Sequence, residues 1–248
     1  MDVNNKKITS LGSWITLAHP AIVEIMANAG FEWLVVDLEH SVITIREAEE
    51  LIRVIDLHGV KPYVRLTTND PNQIKRVMDA GARGIIVPMV KSADDVERAA
   101  KAMYYPPKGT RGIGLARAQG YGSTFEMYLK DHVNFDLIIQ IEHIDAVNNL
   151  EEILSSTALT GFIVGPYDLS GSMGIPGNFE HPDFLKALDQ IKLGAAKYPH
   201  VKRGIHLVEP NLAHLRQLFD DEYDFIAYSV DIRILDVGLQ SAMKELIK

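Results

Sequence analysis

The sequence contains no cysteine among its 248 residues. That absence excludes disulfide bonds, thiolate metal ligands and a cysteine nucleophile. No apolar run reaches the roughly 20 residues that a transmembrane helix needs, and the first ten residues, MDVNNKKITS, lack the apolar centre of a signal peptide. The sequence therefore predicts a cytoplasmic protein that makes no contact with a membrane.

Basic residues are also in short supply. The 25 Lys and Arg are outnumbered by 33 Asp and Glu, which gives a formal net charge of -8 without any basic block. This balance argues against nucleic acid and anionic membrane surfaces as partners, and leaves small molecules. Hydrophobic residues make up 47% of the chain and charged residues 23%, so the composition favours a compact fold over disorder. Any basic residue with a function is therefore expected to act singly within a site, without an extended basic surface.

Apolar, strand-like runs alternate with longer amphipathic segments from Leu11 onward, and no Ser/Gly-rich linker divides them. This pattern predicts eight repeats of strand and helix. A (β/α)8 barrel commonly takes about 250 residues as one domain, so residues 1–248 are predicted to form a single barrel. The alternative is a doubly wound open sheet, but no G-x-G-x-x-G follows the first strand.

The pattern gives approximate bounds for each element. The predicted strands cover residues 12–17, 33–39, 62–66, 84–89, 137–142, a run from 161 that stops at Asp168, 202–207 and 224–229. The predicted helices cover residues 20–29, 44–58, a segment ending at 80, 92–103, 145–154, 182–198, 210–219 and 232–247.

Polar residues at the carboxyl ends of the strands are the candidates for function, because barrel active sites lie at that end. They are Asp37, Glu39 and His40 after strand two, Arg65 in strand three, Glu142 after strand five, Asp168 after strand six and His206 on strand seven. Glu142 and Asp168 would emerge side by side, as two hard oxygen ligands for one divalent cation. The alternative is that both are solvated carboxylates at loop starts.

The connection at residues 104–121, YYPPKGTRGIGLARAQGY, is unusually long and rich in Gly, Pro and Arg. Such a loop is usually functional or a structural cover. It follows helix four and so begins at the amino-terminal side of the barrel. Whether it climbs to the site or forms a scaffold or subunit contact stays open.

Five motifs carry a resemblance to a known family. They are EIMANAGFEWLVVDLEHS at 24–41, VRLTTNDPNQIKRVMDAGARGIIVPMV at 64–90, YYPPKGTRGIGLARAQGYG at 104–122, IQIEHIDAVNNL at 139–150 and GPYDLSGSMGIPG at 165–177. On these motifs, the chain is identified as a member of the HpcH/HpaI family of metal-dependent pyruvate aldolases. The resemblance implies a (β/α)8 barrel whose last helix is exchanged between subunits of a hexamer built as a trimer of dimers. It also implies reversible cleavage of a 2-keto-4-hydroxy or 2-keto-3-deoxy acid to pyruvate and an aldehyde, through an enolate stabilised by Mg²⁺, Mn²⁺ or Co²⁺.

The resemblance also implies roles for individual residues. Glu142 and Asp168 would be the metal ligands, Arg65 the enolate stabiliser and His40 the base. Asp79 would orient His40 from a neighbouring subunit, and Gln140 would hold a water or the substrate. These last two roles come from the resemblance alone.

Three further expectations come from the residues themselves. The backbone N–H groups after Pro166, at Tyr167 and Asp168, start a turn that suits the carboxylate of pyruvate. Residues at the ends of strands one and seven are expected to shape the aldehyde pocket: Trp14, His19, His206 and Leu207. Of these, His206 could equally be a histidine packed in the core. The apolar stripe of the last helix, at three- and four-residue spacing, must be buried either on its own barrel or on a partner: Ile232, Leu235, Leu239, Met243 and Leu246.

Three other functions remain as alternatives. A Schiff-base aldolase needs a lysine in the barrel, and Lys91 is the one candidate at a strand end. A thioester carbon-carbon lyase of the malyl-CoA or citrate lyase type would also use a Glu/Asp metal pair. A non-catalytic barrel that binds sugar acids is the third. Ser229 and Arg233 differ from the usual residues of the family, so the sequence assigns no particular aldehyde.

Overall fold

The computed structural model describes residues 9–221 and 223–247 of the chain. Eight parallel strands pair in sequence order and β1 pairs with β8, which closes the sheet into a barrel. The strands are β1 (Ser10–Ile15), β2 (Trp33–Asp37), β3 (Lys61–Arg65), β4 (Gly84–Val87), β5 (Asp136–Ile141), β6 (Gly161–Val164), β7 (Lys202–Leu207) and β8 (Phe225–Val230). The predicted (β/α)8 barrel is therefore confirmed.

Helices follow the strands around the outside. They are α1 (Pro20–Asn28), α2 (Ile45–Leu57), α3 (Pro71–Ala80), α4 (Ala93–Met103), α5 (Phe125–Asp131), α6 (Ile144–Asn148), α7 (Leu150–Leu154), α8 (Pro166–Ser172), α9 (Pro182–Ala195), α10 (Leu212–Asp220) and α11 (Asp231–Leu246). Over the part of the chain that the structure describes, every helix is too short or too polar to cross a bilayer.

Capping chemistry sets the helix ends where the sequence predicted them. Thr44 and Glu47 form a reciprocal capping box at the start of α2. Asp70 caps α3, and Gly81 ends it in the left-handed conformation with φ 109°. The predicted helix at 145–154 is instead two short helices that meet at Asn149, which serves as the C-cap of one and the N-cap of the next.

Strand β2 ends two residues earlier than predicted. The Asp37 carboxylate accepts hydrogen bonds from the backbone N–H groups of Glu39 and His40, at 3.0 and 3.3 Å. A short Asp side chain that bonds its own following backbone forms a turn and ends the strand. The turn places Glu39 and His40 at the mouth of the barrel, beyond the sheet.

The amino-terminal half of the barrel is filled by aromatic rings. A Cβ on Gly12 would lie 2.0 Å from the Trp33 ring, and one on Gly204 would lie 2.2 Å from the Phe225 ring. Each glycine therefore makes room for a large side chain from a neighbouring strand, and Trp33 contacts both Tyr63 and Phe225. With this end packed, polar side chains inside the barrel gather at the other end.

The long connection packs on the amino-terminal side of its own barrel. Arg111 is fully buried and donates to Asp79 at 2.5 Å, and Arg117 donates to the Ala80 carbonyl and to the Asp56 carboxylate. The sequence left open whether this connection reaches the active site or forms a scaffold or subunit contact, and the single chain answers the first part. The connection is a scaffold around the ends of α2 and α3, away from the carboxyl ends of the strands.

The last helix packs little on its own barrel. Asp231 is the only buried residue of α11, and the apolar stripe is exposed, with Leu239 at 60%. The alternative in which the stripe is covered by its own barrel is therefore wrong. Exchange of this helix between subunits stays a prediction.

Candidate active site

Arg65 is the centre of the polar cluster at the carboxyl end of the barrel. The parallel register of β2 and β3 places Asp37 opposite Arg65. The guanidinium donates two hydrogen bonds to the Asp37 carboxylate, from Nε at 2.8 Å and from Nη2 at 2.5 Å, and it lies over the Trp14 ring at 4.3 Å. This bidentate pairing and stacking hold the guanidinium in one orientation.

Glu39 and His40 lie next to this pair. Glu39 approaches Arg65 Nη1 at 3.4 Å, while the imidazole of His40 is 3.8 Å from the Glu39 carboxylate and 63% exposed. Burial raises the pKa of Glu39 to about 7; Arg65 opposes this rise, and Asp37 and Asp168 add to it. His40 is therefore a solvent-accessible group beside a fixed arginine.

Glu142 is held on three sides. Its carboxylate accepts from the Met89 backbone N–H at 2.7 Å and from the Gln140 amide at 2.8 Å. Met89 has a φ of 53°, a left-handed conformation that is unusual for a side chain of this size. On the third side is Gly165, where a Cβ would lie 2.6 Å from the carboxylate. Burial raises the pKa of Glu142 to about 7, and the Met89 N–H opposes that rise.

Asp168 completes the acidic part of the site from the first turn of α8. It lies close enough for its charge to raise the pKa of both Glu39 and Glu142. Asp168 itself is exposed, whereas Glu142 is buried. The two predicted ligands thus approach the same space from β5 and α8, one rigid and one at the surface.

Arg65, His40, Glu142 and Asp168 share one pocket of about 240 Å³. It is lined by the side chains and backbone of Trp14, His40, Arg65, Gln140, Glu142, Ile163, Val164, Gly165, Pro166, Tyr167, Asp168, His206 and Val208. No lysine is among these lining residues, and Lys91 is outside the pocket. A larger cavity of about 510 Å³ lies at the amino-terminal end of the barrel, on the far side of the packed aromatic rings.

The residues present fit a divalent cation. Four carboxylates, from Asp37, Glu39, Glu142 and Asp168, surround a single guanidinium, and burial already disfavours the charge of two of them. Among the described residues, Gln140 Oε1 is buried without a hydrogen-bond partner, so the site has a polar atom that its own side chains leave unsatisfied. Residues 9–221 and 223–247 hold no group of three or more His, Cys, Asp and Glu placed for a metal. A cation would therefore rely on the Glu142 and Asp168 pair.

Three residues predicted for the site lie elsewhere. His19 is outside the pocket lining and caps α1, where its Nδ1 accepts from the backbone N–H of Ala21 at 3.2 Å. Leu207 points out of the barrel and packs with Leu215, Leu218 and Ile226, because side chains alternate along a strand and its neighbour His206 takes the inward position. Asp79 lies near the end of α3, on the amino-terminal side, paired with Arg111. Within one chain the structure does not bring Leu207 or Asp79 to the pocket.

The sequence lists Asp37 among the candidates but gives it no role, whereas in the structure it is the bidentate partner of Arg65. The signal in the sequence is that both residues end neighbouring strands. His206 could have been a packed core histidine or a pocket residue. It lines the pocket, and its ring lies 5.1 Å from that of Trp14.

Comparison with known proteins agrees with this geometry. Residues 10–235 match the family model of the HpcH/HpaI aldolase/citrate lyase family. A 4-hydroxy-2-oxo-heptane-1,7-dioate aldolase of Salmonella dublin is 33% identical over 237 residues, which cover 93% of this chain and 88% of that protein.

Solved structures give the same result. An HpcH/HpaI aldolase/citrate lyase family protein from Burkholderia cenocepacia J2315 has a TM-score of 0.91 and 27% identity, covering 98% of this chain and 96% of that one. The HpcH/HpaI aldolase from Desulfitobacterium hafniense DCB-2 has a TM-score of 0.86 and 27% identity, covering 96% and 92%. The predicted family is confirmed: this chain is a (β/α)8-barrel enzyme of the HpcH/HpaI aldolase/citrate lyase family.

Proposed function

We propose that this protein is a divalent-metal-dependent aldolase that reversibly cleaves a 2-keto-4-hydroxy acid to pyruvate and an aldehyde. The observation that carries the proposal is the single pocket in which a fixed guanidinium, Arg65, lies beside Glu142 and Asp168, two carboxylates that form no salt bridge with any described residue. The aldolase relatives and structural neighbours of this chain support the same reaction class.

Cleavage of a carbon-carbon bond next to a ketone leaves an enolate, so the site must place positive charge at the former keto oxygen. A divalent ion such as Mg²⁺, Mn²⁺ or Co²⁺, held by Glu142 and Asp168, supplies such charge when bound. Arg65 supplies a second, permanent charge, and its pairing with Asp37 fixes the direction from which it acts. Gln140 orients Glu142 through its amide and has its carbonyl oxygen free for a water or the substrate.

His40 is the proposed base. Its exposed imidazole at the pocket mouth can take the proton of the 4-hydroxyl group, directly or through a water, and can return a proton to the enolate. An exposed histidine needs a partner to fix its ring, and we assign this role to Asp79 of a neighbouring subunit. Asp79 cannot serve the site of its own chain, because it lies at the opposite end of the barrel.

The carboxylate of pyruvate is proposed to lie at the start of α8. Pro166 has no N–H group, so the first amides of this helix are those of Tyr167 and Asp168, and all three residues line the pocket. Converging amides at such a turn favour an anion. Binding there would leave the keto oxygen facing Glu142, Asp168 and Arg65.

The protein is further proposed to be a homo-oligomer, a hexamer by family resemblance, that exchanges α11 between subunits. The exposed apolar stripe of this helix supports the proposal: Ile232, Leu235, Leu239, Met243 and Leu246 are 48 to 79% exposed in the single chain. An apolar stripe of this length is typical of a contact surface.

The test is exchange of the methyl protons of pyruvate with deuterium, followed by NMR, since exchange requires enolate formation but no knowledge of the aldehyde. Chelation should abolish exchange, and Mg²⁺, Mn²⁺ or Co²⁺ should restore it. Borohydride added with pyruvate should leave the protein mass unchanged, because no lysine lines the pocket. Full exchange in chelated protein, or a pyruvate adduct on a lysine, would rule out the proposal.

A further inference from the structure

His206 is the one acidic or basic side chain lining the pocket that the proposed reaction does not use. It lies on β7 and faces inward, half-buried, with its ring 5.1 Å from that of Trp14, the residue on which Arg65 stacks. Burial lowers its pKa to about 4, so the imidazole is neutral at physiological pH.

The hydrogen bond of His206 fixes its tautomer. Nε2 lies 3.1 Å from the backbone carbonyl oxygen of Ser229. A carbonyl oxygen only accepts, so Nε2 carries the proton and Nδ1 is left with a lone pair. Nδ1 accepts no hydrogen bond from any residue that the structure describes. The pocket therefore contains a neutral hydrogen-bond acceptor that lacks a donor.

The backbone at the end of β8 is shaped to hold this arrangement. Ser229 is fully buried and has a φ of 56°, in the left-handed region that side chains other than glycine rarely adopt. Its hydroxyl donates to the Val208 carbonyl at 2.8 Å, and the hydroxyl of Ser13 donates to the neighbouring Tyr228 carbonyl at 2.7 Å. The Ser13 hydroxyl also lies 3.4 Å from the Ser229 carbonyl oxygen itself, so these bonds hold the backbone segment whose carbonyl orients His206.

The charges around the pocket argue against an aldehyde that carries a carboxylate. Arg65 is the only Lys or Arg that lines the pocket, and it is taken by Asp37 and Glu39. Beyond Val208, at the rim, the guanidinium of Arg233 is bound by Glu209 and Asp236. A second carboxylate on the substrate would enter a region rich in acids, with no unpaired cation among the described residues of this chain that line it.

We propose that His206 is a specificity-determining residue whose Nδ1 accepts a hydrogen bond from a hydroxyl group of the aldehyde. The preferred aldehyde is then uncharged and hydroxylated, which makes the cleaved substrate a 2-keto-3-deoxy acid with hydroxyl groups beyond C4. This inference rests on the proposed aldolase function and names its substrate class.

The test compares aldol addition of pyruvate to glycolaldehyde and to acetaldehyde, which differ by a single hydroxyl group, as the ratio of kcat/KM. His206→Gln places its amide nitrogen near the position of Nε2, which keeps the Ser229 bond and removes the Nδ1 acceptor. His206→Asn places its oxygen near the position of Nδ1 and loses the Ser229 bond. His206→Leu removes both. Deuterium exchange of pyruvate serves as the check that enolate formation is intact.

One hydrogen bond between neutral groups is worth about 2- to 12-fold. The glycolaldehyde preference should fall by that factor in His206→Gln and His206→Leu and persist in His206→Asn, with pyruvate exchange unchanged in all three. If His206→Leu fails to fold, His206→Gln decides the question.

An unchanged ratio in His206→Gln with intact pyruvate exchange would overturn the assignment of His206. So would a wild-type preference for succinic semialdehyde, an aldehyde that ends in a carboxylate, over glyceraldehyde. Absence of pyruvate exchange in the wild-type protein with metal would instead overturn the proposed function, and the inference with it.

Discussion

Gly165→Ala should weaken metal binding without touching either proposed ligand. The new Cβ would lie 2.6 Å from Oε2 and 2.8 Å from Cβ of Glu142. Glu142 must then move by about 1 Å to restore ordinary contact. Its bonds to the Met89 N–H and to the Gln140 amide, at 2.7 and 2.8 Å, cannot both follow such a shift. The backbone at Gly165, with φ -97° and ψ 93°, accepts alanine without strain.

Loss of a group that orients a metal ligand typically lowers metal affinity by roughly 10- to 100-fold. The Kd for Mn²⁺, measured by calorimetry or by the EPR signal of free Mn²⁺, should therefore rise by that factor, or by about 1.4 to 2.8 kcal/mol. Pyruvate exchange should recover when Mn²⁺ is raised in proportion. The matched control is Gly171→Ala within α8, the helix that Gly165 precedes, where a Cβ meets nothing within 4 Å. Equal Mn²⁺ affinity in Gly165→Ala and wild type would refute the assignment of Glu142 as a ligand.

Two further predictions concern the division of roles. Arg65→Ala should abolish both aldol cleavage and pyruvate exchange, because both pass through the enolate, whereas His40→Ala should mainly depress cleavage and its pH dependence; wild-type exchange in Arg65→Ala would contradict the role given to Arg65. Inactive His40→Ala and Asp79→Asn subunits, mixed after mild dissociation, should regain part of the activity if sites form between chains. Confirmed mixed oligomers without activity, or a fully active monomer, would contradict a shared site.

The barrel could be predicted from sequence because its signal is local and repeated. Each strand is an apolar run, and helix starts such as Thr44 and Asp70 carry their own capping chemistry. The predicted strand ends are wrong where a carboxylate side chain accepts hydrogen bonds from backbone N–H groups. The Asp37 carboxylate ends β2 by accepting hydrogen bonds from the backbone of the next residues. Met89 lies beyond the end of β4 in a left-handed conformation that the local sequence does not predict.

The sequence predicts which strand ends contribute residues to the site, but it does not predict the directions and contacts of their side chains. Parallel strands bring Glu142 near the residues that follow β6, but the direction of a side chain depends on the phase of alternation, which apolar content alone does not give. That phase decided between His206, which faces the pocket, and Leu207, which packs outside. The contact of Gly165 with Glu142 depends on the positions of two strands together and had no sequence signal of its own.

Asp79 shows how a single chain constrains a site between chains. Its Oδ1 accepts from Arg111, which is fully buried, whereas the Asp79 side chain is 24% exposed. A buried guanidinium that loses its carboxylate is strongly destabilising, so Asp79 must keep Arg111 in any assembly and can offer a neighbour only its second oxygen, Oδ2. The shared-site hypothesis therefore requires Asp79 to bond Arg111 and the partner imidazole together. Asp79→Asn, which keeps one oxygen for Arg111, separates the two roles, while Asp79→Ala would remove both.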